Sequence, residues 1–345
     1  MALVVGEDVE STSNDSERSI ASMTRVRDSM LDMIVERTHD VNAFTRAAVL
    51  KVWSSLLESK SIPHKRVGAV AEIAVDRLFD KTAAVRKAAV CLLTTLLDYN
   101  PFSSTLDINQ FKKSEADLIV TYNARVQQLY SEEHGSGSDT VLSALDDIKT
   151  SAENLNLDKP LSESEEHQIA KEVAEEEMKA FIDSDLVKGD SEIIAITSQQ
   201  EFIHAALEFL KAIELAIPKI LEMIASKVSG DVIEAMRFFA KAVNFNVRGS
   251  AKCQRSTFSL IWHQDDAIKT ECLMSFQNVF LTDGGAGTDA KPLPPAEIAM
   301  NLVTLVQRCG VSEMASLEKI IGELFKQKKV EGGIVHYLCS ILIHY

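Results

Sequence analysis

Apolar residues along this chain recur mostly at spacings of three and four, which is the period of helices packed on one side. A helix is expected over about Ile20–Thr38, with Val26, Met30, Met33 and Ile34 on its inner face. A partner over about Val41–Ser59 carries Val49, Leu50, Trp53, Leu56 and Leu57. Ile62-Pro63 separates these from a second pair, about His64–Phe79 and Lys81–Tyr99, which Asn100-Pro101 stops because the residue before a proline is pushed out of the α region. Further helices are expected over about Phe111–Tyr130, from Thr197 onward, around Asp231 to Phe245, and over Gly249–His263, Asp265–Leu281, Ala296–Arg308, Ser312–Gln327 and Gly333–Tyr345. Ser198 followed by Glu201 has capping-box spacing, and Pro218 is expected to kink or split the helix that follows.

The first two pairs are one unit written twice. A shift of forty residues lays Asp40 on Asp80, Arg46 on Arg86, Leu56-Leu57 on Leu96-Leu97, and Arg37 on Arg77. Self-similarity at this period with helical spacing inside each copy is the mark of a two-helix solenoid repeat. An Asp opening the second helix, with an Arg six positions on, is the HEAT-repeat pattern. A carboxylate at a helix start accepts hydrogen bonds from free backbone N–H groups and meets the positive end of the helix dipole. Arg46 and Arg86 could then reach the Asp of a neighbouring repeat and tie layers together. Asp231 and Arg237 repeat the spacing. Before Lys269 the rule is half kept, since His263 stands where Asp is expected. The fold class expected is all-α: a HEAT-repeat α-solenoid of stacked antiparallel helix pairs, interrupted by an acidic, partly disordered insert.

Charge sharpens this division. The net charge of −15 is uneven: residues 18–113 carry fifteen Lys/Arg against ten Asp/Glu, whereas 114–230 carry nine against twenty-four. The domains read from this are a disordered acidic tail (1–18), two tandem HEAT repeats (19–103), a helical acidic insert or linker (104–196) and further HEAT-like pairs (197–345). The Glu132–Thr140 loop is flexible in this reading, and the acidic stretch Glu163–Phe181 is a solvated face. The apolar ending without a polar cap suggests a fragment, or a partner at that end.

Chemistry is sparse. The eight histidines form no HxxxH pair, and the five scattered cysteines, never CxxC, read as reduced thiols of the cytosol or nucleus. The Gly284–Lys291 loop lacks the GK[ST] ending of a phosphate-binding loop. No run of eighteen apolar residues is present, and the start has no basic, then apolar, leader pattern. The expectation is therefore no enzyme, no cofactor, no metal, no membrane and no small-molecule substrate. Lys60, Lys65, Arg66, Lys81 and Lys87 gather near the turns of the basic repeats, where an edge could follow a DNA backbone without reading sequence, weakly for the isolated chain.

Several blocks together resemble a known family: HDVNAFTR (39–46) with Val49–Trp53, DKTAAVRKAAV (80–90) with Asn100-Pro101-Phe102, SGDVIEAMRFFAKAVNF (229–245) and Leu260-Ile261-Trp262. In order and spacing they are similar to the central HEAT region of the condensin complex subunit 1 family, the D-type non-SMC subunits. The resemblance implies a scaffold that binds the kleisin subunit, approaches the SMC ATPase subunits and helps hold DNA during mitotic chromosome condensation, in the nucleus and on chromosomes with a cytoplasmic pool. The alternatives are a generic HEAT adaptor, of nuclear transport or a phosphatase, and the equivalent condensin II subunit.

Overall fold

The computed structural model describes residues 8–134, 181–182, 184–284, 291–330 and 333–338. Its helices are α1 (Asp8–Arg37), α2 (Ala43–Glu58), α3 (His64–Arg77), α4 (Ala83–Asp98), α5 (Ile108–His134), α6 (Asp185–Gly189), α7 (Ser191–Met223), α8 (Ser229–Asn244) and α9 (Ser250–Ser256). A 3₁₀ turn, Thr257–Trp262, follows, and then α10 (Asp266–Phe280), α11 (Pro295–Arg308) and α12 (Val311–Lys326). Among the described residues no strand forms, only an isolated bridge between Thr282 and Pro292.

Two compact units result. One joins Met1–Ile108 to Glu208–Tyr345, and the other is Asn109–Leu207. The sequence division places the insert at 104–196. The second unit holds eight Lys/Arg against twenty-one Asp/Glu, a net −13 of the chain's −15, so the first is close to neutral.

In the first unit the second helices of successive pairs stack in the order α2, α4, α8, α10. This is helical-repeat packing of the HEAT kind, in which each pair buries its face on its neighbours. The stack continues from α4 directly to α8, although the whole second unit lies between them in sequence. Leu93, Leu96, Leu97, Ala235, Phe238 and Phe239 are fully buried there. The chain's departure and return are fastened within the stack. Phe102 and Phe209 have ring centroids 5.7 Å apart, and the Leu106 N–H donates to the Phe245 carbonyl at 2.8 Å. Gly68 sits inside α3 because a Cβ there would lie 3.2 Å from the Glu208 Cβ.

Several expectations need correction. Helix α1 takes in residues 8–18, read as a tail; no Gly or Pro interrupts Asp8–Arg37, so nothing in the sequence stops the helix. Among its described side chains Leu31 is buried, while Val26, Met30 and Met33 are more than half exposed. Val26 and Met30 line an open groove with Leu56 of α2, and Met30 and Met33 another with Val49 and Val52, so this face is turned to α2 but left open to solvent. Helix α7 starts at Ser191 rather than at Ser198, because Asp190 Oδ1 accepts the N–H groups of Glu192 and Ile193 at 3.0 and 2.9 Å, capping it earlier. Nor does Pro218 split it. The residue lies five positions from the end of a continuous helix, where the lost N–H costs a single bond. Most of the Glu132–Thr140 loop, nearly all of Glu163–Phe181, and positions 285–290 of the glycine-rich loop lie outside the described residues.

Candidate partner-binding edge

The turn between the two helices of a pair is built the same way four times. A side-chain acceptor three residues before the second helix takes the N–H two residues on. Asp40 Oδ1 accepts from Asn42 at 2.8 Å, Asp80 Oδ1 from Thr82 at 2.9 Å, Ser226 Oγ from Val228 at 3.1 Å and His263 Nδ1 from Asp265 at 3.0 Å. Asp, Ser and His serve equally because the turn requires only a lone pair within reach of that N–H. His263 therefore fills the place where the sequence pattern lacks an Asp. Asp231 does not occupy that place: it is the third residue of α8, five positions after Ser226.

Across the turns runs a series of arginine–carboxylate pairs. Arg46 donates from Nε and Nη2 to both oxygens of Asp80, at 2.7 and 2.9 Å. Its Nη1 reaches back to the carbonyls of Asp40 and Val41, tying its own turn to the next pair. Arg86 repeats this, with Nη1 on the Asp80 and Lys81 carbonyls and Nη2 on Asp231 Oδ2 at 2.7 Å. Ser226 Oγ donates to the same Asp231 oxygen at 3.1 Å. Arg237 closes the next step, donating to Glu271 at 2.8 Å and to Glu234 at 3.1 Å. The acceptor thus moves inward along the stack, from the turn itself (Asp80) to the first turn of helix (Asp231) to the second (Glu271). The Arg46 guanidinium, with the Thr82 N–H, holds the Asp80 carboxyl below the usual carboxylate range, against the opposing cost of burial. Bonding to Glu271 raises Arg237.

The turns present apolar side chains to solvent. Val41 is 99% exposed and Phe44 84%. Phe79 at the second turn, Val228 at the third and Trp262 at the fourth are also exposed. Lys219 Nζ lies 5.1 Å from the Phe79 ring centroid, a cation–π distance. The Trp262 indole N–H donates to Ser316 Oγ at 3.1 Å, which fixes an exposed ring against α12. Lys81 and Lys227 occupy the same position of the second and third turns, each one residue after the acceptor, and both are exposed. Reading Asp231 as the turn residue set the third turn five positions late, and this hid Lys227 and Val228 from sequence reasoning.

The five basic positions do not form one edge. Lys60, Lys65 and Arg66 lie at the α2–α3 connection, and Lys81 and Lys87 at the α3–α4 turn. These are opposite ends of a fourteen-residue helix, about 21 Å apart at 1.5 Å per residue. Arg66 is paired with Asp32 and Asp28, and Lys87 faces the buried Glu234 at 3.5 Å. Lys60 holds φ +54° just past the end of α2, where its N–H bonds back to the Leu57 carbonyl. Burial pushes the Cys91 and Cys272 thiols up to about 12, so neither is an activated nucleophile. Among the described residues no group of His, Cys, Asp or Glu is arranged to hold a metal, and no helix is long and apolar enough to cross a membrane.

No protein-family profile matches the chain. Individual relatives do. The Arabidopsis thaliana Condensin-1 complex subunit CAP-D2 is 26% identical over 340 residues, which is 96% of this chain and 23% of that protein. Condensin complex subunit 1 of Mus musculus is 24% identical over 92% of this chain and 28% of its own length. That of Saccharomyces cerevisiae is 24% identical over 90% and 27%. The chain is similar to condensin subunit 1 proteins over nine tenths or more of its length. It spans about a quarter of the length of the curated relatives it matches. Among solved structures, an engineered protein is matched over 90% of the chain at 13% identity and a TM-score of 0.29.

Proposed function

We propose that this region is a non-catalytic scaffold of a condensin-type complex, with the intra-pair turns as its partner-binding edge. Its partners in this reading are the kleisin and SMC ATPase subunits. The observation that carries it is the row of exposed apolar side chains (Val41, Phe44, Phe79, Val228, Trp262) on turns tied to one another by arginines paired with buried carboxylates. A rigid row of separated apolar knobs with Lys81 and Lys227 between them suits an extended acidic segment that anchors at intervals, since exposed aromatic anchors held in place dominate such interfaces. DNA contact belongs to the same reading, narrowed from five basic positions to Lys81 with the newly placed Lys227. Arg66 and Lys87 already face carboxylates of the fold. The reading places the protein in the nucleus and on chromosomes, with a cytoplasmic pool.

Co-expression with a kleisin fragment tests this. Phe79→Asp with Trp262→Asp is expected to abolish co-purification, while Val120→Asp, exposed in the second unit, is expected to leave it intact. Undiminished capture by the double variant overturns the edge assignment, and no capture by the parent favours an adaptor of another system. For DNA, Lys81→Glu with Lys227→Glu is expected to weaken binding and flatten its salt dependence by about two phosphate contacts, whereas Arg66→Glu should matter less.

A further inference from the structure

The second unit has a small core of its own. Val126, Leu129, Phe181, Val187 and Ile193 are buried together, with Tyr122, Tyr130 and Ile182 packed against them. Tyr130 stacks edge-on to Phe181 at 5.1 Å. Beside this core an open cleft of about 460 Å³ is floored by Tyr122, Ile182, Ile193 and Ile194 and reaches Thr197 and Glu201. That volume lies within the range of ligand-sized pockets, about 300–1,000 Å³. Ile194 is 53% exposed at the mouth, and Leu186 is 48% exposed on the adjoining short helix. An apolar floor open to water is costly to leave uncovered, and a cleft of this size admits apolar side chains.

The charge around it points to the kind of side chains. Asp185 and Glu192 are exposed at the start of α6 and α7, and Glu201 lines the cleft. Lys188 also lines it. Arg125, the arginine of this core, is taken up by Asp190 at 2.7 Å and Glu192 at 3.2 Å. The unit as a whole carries −13, so an approaching cation gains along the whole path and an anion is repelled.

We infer that the cleft of the second unit is a docking site for a basic amphipathic helix of a protein partner. Two or three apolar side chains on one face of that helix enter against Tyr122, Ile193 and Ile194, and its flanking Lys and Arg side chains face the carboxylates of α6 and α7. This is the helix-in-groove mode, with apolar anchors spaced three and four residues apart. It is independent of the turn edge proposed above, because every residue it uses lies within Asn109–Leu207.

The test uses the whole chain and a fluorescently labelled Leu/Lys amphipathic peptide of about four helical turns. Its sequence-scrambled isomer and a Leu/Glu counterpart serve as comparison ligands. The parent peptide is expected to bind and the Leu/Glu peptide to fail. The scrambled peptide should bind about tenfold or more weakly, the equivalent of one misplaced apolar anchor. Ile194→Arg is expected to weaken binding by a similar factor, and Leu215→Arg, exposed in the first unit, to leave it unchanged. Thermal melting by circular dichroism establishes that both variants fold. Equal binding of the scrambled peptide, retention by Ile194→Arg, equal loss in Leu215→Arg, or no binding of the parent peptide each overturns the inference.

Discussion

The repeat stack and the acidic insert use the same interaction to opposite ends. Both hold an arginine against carboxylates: Arg46, Arg86 and Arg237 in the stack, Arg125 in the insert. In the stack the pairs join positions 34, 145 and 34 residues apart, and the middle span contains the entire second unit. Each crosses from one helix pair to the next, so the series fixes a spacing that propagates. In the insert Arg125 joins α5 to the start of α7 once and closes a small core. A structure in which every layer touches only its neighbours can accept a foreign unit at any connection, provided the layers on either side still meet. Lys241, bridging from α8 to Asp98 of α4 at 2.7 Å, adds a second fastening across that splice.

The largest expected effect comes from breaking the bond across the splice. Asp231 is almost fully buried, and Arg86 Nη2 and Ser226 Oγ are its hydrogen-bonding partners. Arg86→Leu leaves that carboxylate inside the stack without its cation, and removal of one partner of a buried pair typically costs about 3–5 kcal/mol. Because Arg86 retains some exposure, the lower end, about 3 kcal/mol, is expected. Urea unfolding followed by tryptophan fluorescence measures it cleanly, since both tryptophans, Trp53 and Trp262, lie in the first unit. Asp231→Asn in the same background is expected to restore much of the loss by removing the stranded charge. A loss under about 1 kcal/mol in the single variant would mean that the pair is no more than a surface contact.

A smaller effect is expected in acid. The folded Asp80 carboxyl is held below its ordinary range by Arg46, so its contribution is complete above the unfolded value near 3.9 and disappears as pH falls through the folded one. The stack's stability should therefore fall below about pH 4 and show no dependence from this group between pH 5 and 8. Arg46→Gln should reduce the acid-side slope of the tryptophan signal. An unchanged slope would assign the acid sensitivity to other groups. Asp190 in the insert is lowered in the same way by Arg125, but it lies outside the unit that the tryptophans report on.

What the sequence made legible follows from the same contrast. The two tandem copies could be read because turn acceptor, arginine and apolar stripe all repeat in register, and each line of evidence constrains the others. The third turn was misread because only the acceptor's lone pair is required there. Ser226 supplies it without resembling Asp80, and Asp231 resembles Asp80 without supplying it. On α1 a helical stripe was visible, but periodicity alone does not say which neighbours exist, so Met30 and Met33 were set inward and Leu31 was overlooked. In the insert a capping box at Ser198 competed with the earlier cap at Asp190, and the tertiary cluster of Ile193 with Val187 and Phe181 favoured the longer helix. The partner of Arg86 lies 145 residues away, yet it is Asp231, the next Asp with an Arg six positions on, so the ladder expected from the tandem copies continues past the insert.

The finest discrimination between the two regions is an expected absence of effect. Replacing residues 109–207 by a flexible Gly/Ser linker removes the second unit together with the first half of α7 and leaves Glu208–Met223 to pack against Gly68. Ten such residues span about 17 Å on average, enough to join chain ends already gathered by the Phe102–Phe209 contact and the Leu106–Phe245 hydrogen bond. If the layers carry the stack, the unfolding free energy from the tryptophan transition in urea should change by no more than about 0.5 kcal/mol, the scatter for independent sites. Anion-exchange retention should drop sharply as most of the negative charge is lost. A shift of several kcal/mol would show that the stack depends on the insert for more than a covalent path, and the pairing of α4 with α8 would then be a consequence of the inserted unit rather than the reason the chain tolerates it.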